Sequence, residues 1–207
     1  MDLKRLFSLI VIMLTFAVIP LDLVKADNDF RGALVLAAIE RTSHQVTYDG
    51  SYRKIAYPAG DVPNNIGVCT DVVVRSYRKL GIDLQQLVHE DMKHSFSAYP
   101  NHWGLKKPDT NIDHRRVPNL QTFFSRHGIK LNVTDRAEDY KPGDLVTWML
   151  PGNLPHIGIV TDRSDAGTNH PMIVHNIGSG PQLEDILFDY KITGHYRYLP
   201  SNSTVRN

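Results

Sequence analysis

The sequence predicts an α+β domain in which a cysteine-bearing helix packs on an antiparallel β-sheet. Three observations carry this reading. Apolar residues recur at helical spacing through the first half, strand and turn signals alternate through the last third, and the only cysteine stands where a turn-rich loop gives way to a helix.

The chain opens with Lys4 and Arg5 ahead of an apolar run from Leu6 to Ile19, which is the length of a secretory signal and short for a membrane span. Val24-Lys25-Ala26 has small or short residues at the two positions a signal peptidase reads, so residues 1–26 are predicted to be a signal peptide and Asp27 the mature start. The competing reading is an uncleaved anchor. Export places the protein in the periplasm, with no membrane association after cleavage. Twenty basic and twenty acidic residues would remain, a balance that offers no electrostatic footprint for nucleic acid or an anionic membrane surface. No repeat or linker divides residues 27–200, which read as one domain, and 201–207 read as a flexible tail.

Within that domain, "DFRGALVLAAIERT" places Phe30, Leu34, Ala37 and Ala38 on one helical face. Residues 48–68 are punctuated by Pro58, Gly60, Pro63, Asn64, Asn65 and Gly67 and read as loop. "GVCTDVVVRSYRKLGI" then forms a helix with Val73, Tyr77 and Leu80 inward, Asp71, Arg75, Arg78 and Lys79 on the other side, Asp71 and Arg75 as an i,i+4 pair, and Gly81 as its stop. The inward stripe extends back to Cys69. With one cysteine no disulfide can form, so the thiol is either a buried inert side chain or a nucleophile favoured by the free N–H groups of the helix end. Residues 89–113 show little periodicity and read as long loops, while "VPNLQTFFSRHG" forms a short helix with Leu120, Phe123 and Phe124 inward.

"YKPGDLVTWML" supplies a turn and a strand, "HIGIVTDR" and "MIVHNIG" an antiparallel hairpin, and "HYRYL" a last strand. Strand alternation puts His156, Gly158 and Val160 on one face, and a hairpin centred near Asp165-Ala166 sets His156 across from His175. Only one of His175 and Asn176 can share the His156 face. Gly158 leaves room for another segment to approach, as a Cys–His pair requires. The histidines of "HEDMKH" are five apart and do not share a helix face as a zinc motif needs, and "IGSGP" lacks the strand–loop–helix context of a phosphate cradle.

Taken together, "GVCTDVVVRSYRKLGI", "YKPGDLVTW", "HIGIV" and "MIVHNIG" resemble the NlpC-type cell-wall cysteine peptidases of the papain-like superfamily, and "NIDHRRVPNL" with "GHYRYL" resembles a bacterial domain-of-unknown-function family. The resemblance implies a papain-like fold and a thiol hydrolase that cleaves an amide bond in peptidoglycan stem peptides without a cofactor. It makes Cys69 the nucleophile, His156 the general base, His175 the orienting group, with Asn176 as its rival, and Tyr57 a contributor to the oxyanion site. Here the nucleophile lies in Val68-Cys69-Thr70-Asp71, where the peptidases have Asp-Cys-Ser-Gly. A non-catalytic cell-wall binding module and an acyltransferase or thioesterase using the same thiol are the alternatives.

Overall fold

The computed structural model describes residues 21–200, with only the backbone described at 21–24. Most of the predicted signal peptide and the C-terminal tail therefore lie outside the described residues. Among the described residues no helix is long and apolar enough to cross a membrane.

The domain is α+β. Four helices, α1 (Leu21–Arg41), α2 (Cys69–Lys79), α3 (Leu84–His94) and α4 (Val117–His127), accompany a two-stranded parallel pair, β1 (Thr47–Tyr48) with β2 (Ile66–Gly67), and a six-stranded antiparallel sheet. That sheet comprises β3 (Ile129–Leu131), β4 (Leu145–Leu150), β5 (Leu154–Ser164), β6 (Pro171–His175), β7 (Gln182–Glu184) and β8 (Lys191–Arg197), in the order β3-β8-β4-β5-β6-β7. The strands from β4 to β7 run as a meander, and β8 returns to the far side of β4.

Both faces of the sheet are buried. Leu145, Ile157, Ile159, Val174 and Tyr196 meet the helices through Leu34, Cys69, Val73, Tyr77, Leu120 and Phe124. On the other face Val146, Trp148, Val160 and Ile173 pack beneath Tyr140, Ile186 and Leu187, and the Trp148 indole N–H donates to the Leu187 carbonyl at 2.9 Å. The alternation along β5 is therefore as its sequence requires, with Ile157 and Ile159 toward the helices and His156 and Val160 away.

Helix α2 carries Val73 and Tyr77 inward and ends before Gly81, whose φ of 79° suits glycine. Its polar side departs from the helical-wheel expectation. Asp71 and Arg75 are buried, and they pair not with each other but with Arg115 and Asp61. The cause is the turn-rich loop, which folds over that side of the helix. Having little secondary structure of its own, the loop has its backbone groups satisfied by side chains from the helices. Arg75 donates to the carbonyls of Val62 and Pro63, Arg78 to that of Gly60, and Gln85 bonds Gly60 N–H and the Ala56 carbonyl.

Helix α3 stands where long loops were expected. Asp83 caps it by accepting the Gln85 N–H at 3.0 Å, and Leu84, Val88 and Met92 form its buried stripe.

Truncating one member of the buried Asp71–Arg115 pair strands the other charge in the interior. Arg115→Met is expected to cost about 3–5 kcal/mol in denaturant unfolding. Asp71→Asn combined with Arg115→Met should restore part of that loss, and a fully additive double variant would show that the two side chains are not coupled.

Candidate active site

Cys69 is the first residue of α2 and follows Val68, which is in extended conformation. Asp71, two residues after Cys69, closes the helix end from inside by accepting the Val68 N–H at 2.7 Å. Arg115 grips the same carboxylate through two bonds of 2.9 and 2.8 Å, and the Thr70 hydroxyl donates to the Arg115 carbonyl. Arg115 also donates to the carbonyls of Asp49 and Ser51, so one guanidinium ties the helix end to the loop before β2.

The Ile157 N–H, on the residue after His156, lies close enough to the Cys69 thiol to act against the effect of burial on it. The Val160 N–H donates toward β4, to Asp144, so strand alternation turns the Ile157 N–H toward β6. Strand β6 pairs Val174 with Ile159, and the next pair in register would be Asn176 with Ile157, but the β5–β6 pairing has ended by then. The Ile157 N–H is thus left open on that side, and Cys69 belongs to the core packed there.

His156 and His175 come together on the face away from the helices, with His156 Nε2 3.2 Å from His175 Nδ1. The register is not the one expected. The hairpin turn lies later than expected, pairing Ser164 with Pro171, and an irregularity between Val160 and Ser164 takes back two residues of that offset, so His175 stands opposite Gly158 and the two rings meet diagonally. A shift of two preserves the face. Gly158 makes this possible: a Cβ there would lie 2.6 Å from Ile173 Cγ2 and 3.2 Å from His175 Cβ. The space beside the histidine is thus filled by β6 and not by the end of α2. No hydrogen bond between Cys69 and the His156 ring occurs, and His156 Nδ1 takes part in none of the described hydrogen bonds.

Asn176 is buried, and its Oδ1 accepts the Gly178 N–H. Tyr57 is corrected. It is exposed, packs edge-on against His89 of α3, and has Glu90 and Asp83 as its charged neighbours. The tyrosine near the thiol is Tyr48, held beside Gly67 by the β1–β2 pair, with its hydroxyl pushed up to about 12 by burial and by Cys69.

The chain matches, over residues 35–198, a family described as Domain of unknown function (DUF1287). It belongs to that family. The uncharacterized protein YijF of Escherichia coli (strain K12) is 46% identical over 180 residues, 87% of either chain.

In this DUF1287 domain, sequence reasoning missed Glu184. It lies opposite Ile173 in the β6–β7 register, so it shares a face with His175, and its Oε2 is 2.9 Å from His175 Nε2, close but outside hydrogen-bond alignment. The alternation His175, Ile173 was readable. The β7 partner was not, because nothing in "PQLED" marks a strand. An open groove of about 850 Å³ lies beside Glu184, lined also by Thr47, Asn65 and Gln182. Among the described residues no group of three or more His, Cys, Asp or Glu side chains is arranged to hold a metal ion.

The electrostatics overturn the expectation of a low thiol pKa. Burial pushes Cys69 up to about 12; the Ile157 N–H opposes this, Asp71 adds to it, and the N–H groups of Thr70 and Cys69 oppose it further. Burial, and then the neighbouring His175, bring His156 down to about 3. The resting pair is a neutral thiol and a neutral imidazole. Three backbone N–H groups offset only part of the desolvation of a residue that is 4% exposed.

Alkylation of native Cys69 by iodoacetamide should accordingly be slower than in denaturant and should climb with pH beyond the ordinary thiol value of about 8.5. A fast plateau near pH 6 would mean a preformed ion pair. The histidines also set a stability profile. His156, and His114 brought down to about 4 by burial and then by Arg115 and Arg78, bind protons more weakly when folded than when unfolded. Their contribution is whole above pH 6.5 and is lost as pH falls toward 4; Asp113, raised to about 6 by burial, acts in the opposite sense. The melting temperature should rise from pH 4 to 6.5, and His156→Gln should flatten that rise.

Proposed function

We propose that this protein is a periplasmic cysteine hydrolase of the NlpC-type, papain-like kind, which cleaves an amide bond in peptidoglycan stem peptides. The observation that carries the reading is the position of the Cys69 thiol close to the N–H of Ile157, one peptide link from a histidine whose ring is bonded to a second histidine backed by a carboxylate. A buried cysteine with no function would not need that backing.

In this reading the contacts favour one arrangement of protons. Glu184 favours His175 protonated on Nε2, which leaves His175 Nδ1 as an acceptor for the His156 Nε2–H. His156 Nδ1 then carries the free lone pair and is the base. As the sulfur attacks the substrate carbonyl, His156 takes the thiol proton, so the ion pair forms during attack and not before it. The tetrahedral oxyanion is stabilised by the Cys69 N–H and by the Tyr48 hydroxyl, in place of Tyr57. Collapse expels the amine with the proton from His156 and leaves a thioester, which water, deprotonated by the same imidazole, hydrolyses to the free acid.

The deep burial of Cys69 is what favours the second reading, a cell-wall binding module that does not turn over. The groove beside Glu184, with Thr47, Asn65 and Gln182, is polar, which argues against the lipid substrate of a thioesterase.

Mass spectrometry of purified cell-wall fragments incubated with the protein tests the proposal. Cleavage should vanish in Cys69→Ala and fall on the order of 10²-fold or more in His156→Ala. His175→Ala should cost more than Asn176→Ala, and Glu184→Gln should cost less than either histidine change. Cleavage that survives Cys69→Ala would end the hydrolase reading, and binding of fragments without cleavage by the wild type would establish the binding module.

A further inference from the structure

A second groove, of about 730 Å³, opens between the loop around Trp103, helix α4 and the ends of β4, β5 and β8. We propose that it binds a neutral saccharide chain, the glycan portion of the substrate whose peptide is cleaved at Cys69. The inference rests on the hydrolase reading for its biological setting and on the groove's own chemistry for the ligand class.

Trp103 is 41% exposed, an unusual degree of exposure for a tryptophan. The Arg116 guanidinium lies over its ring at 4.0 Å from the centroid, which holds the indole in place and occupies one face. The exposed remainder borders the groove and provides the flat apolar surface against which the axial C–H groups of a sugar stack.

The floor offers uncharged polar groups. Gln121 Nε2 is spent on the Thr147 and Thr193 hydroxyls at 2.8 and 3.1 Å, which fixes the amide and leaves its Oε1 as an acceptor for a ligand hydroxyl. Thr193 and Asn153 line the same groove. Its prominent cation is already used: Arg126 holds Asp91 through two bonds of 2.7 and 2.9 Å. With that charge neutralised, the groove is suited to hydroxyls and not to a carboxylate or phosphate, although Lys130 at its edge is in none of the described ion pairs.

The far end of the groove is Pro155, the residue before His156. Pro155 alternates to the same face of β5 as Ile157, the helix face, so the groove and Cys69 lie on the same side of the sheet.

The test uses Cys69→Ala, so that binding is read without turnover. The chain's other tryptophan, Trp148, is fully buried, and a change of indole fluorescence on adding the N-acetylglucosamine tetramer reports on Trp103. Titration should show saturable binding that changes little with salt, and Trp103→Ala and Gln121→Ala should each weaken it by at least about tenfold when followed calorimetrically. Both side chains are accessible, and an unchanged melting temperature confirms folding. No binding at millimolar tetramer, or equal binding by Trp103→Ala, overturns the proposal. A fluorescence response to a free stem tripeptide and none to the tetramer assigns the groove to peptide and overturns it as well. Because cleavage is never measured, saccharide binding by a protein that cleaves nothing would leave this inference standing while the hydrolase reading failed.

Discussion

The bidentate contact between Arg115 and Asp71 is the constraint on which the site depends. Both side chains are almost wholly buried, and desolvating two charges returns little net stability even when the geometry is good. What the contact supplies is position. Asp71 holds the Val68 N–H, Arg115 holds two carbonyls of the loop before β2, and the Arg115 carbonyl holds Thr70. The first turn of α2 is therefore located relative to β1, β2 and the start of α4 by charge-assisted bonds with fixed directions. An apolar contact in that place would let the helix end slide, and the sulfur with it.

Much of this was legible in the sequence, for reasons that are local. The inward stripe of α2, the stop at Gly81, the buried Leu120, Phe123 and Phe124 of α4, and the faces of β5 follow from periodicity alone. That His156 shares a face with His175 and not with Asn176 also survived an error in register, because the shift was even. The failures are non-local. A helical wheel gives Asp71 and Arg75 a polar side but says nothing of a loop that later covers it. Tyr57 was chosen for its distance along the chain from Cys69, whereas Tyr48 is brought near by a two-residue parallel pair that no pattern announces. Helix α3 was obscured by its polar surface, although the spacing of Leu84, Val88 and Met92 was there to be read.

The thiol was misjudged for a related reason. A helix end was credited with lowering its pKa, and the donors are indeed present at Ile157, Thr70 and Cys69. The sign of the result is decided by exposure, and a thiol buried in the helix-side core loses more from desolvation than three N–H groups return. The same burial that raises the thiol lowers His156. The two shifts oppose a resting ion pair between thiol and imidazole.

The site exists because the sheet is left incomplete at one place. Had β6 kept its pairing for two more residues, Asn176 would have taken the Ile157 N–H and the thiol would have had no open strand donor near it. The absence of a side chain at Gly158 lets β6 approach closely enough for His175 to reach His156. Strand β7 then continues the sheet from β6 and brings Glu184 up beside His175. The cysteine arrives from the helical layer, the two histidines from the sheet and the carboxylate from its edge strand. Strand β5 joins them, with the His156 ring on one face and Ile157, packed in the core with Cys69, on the other.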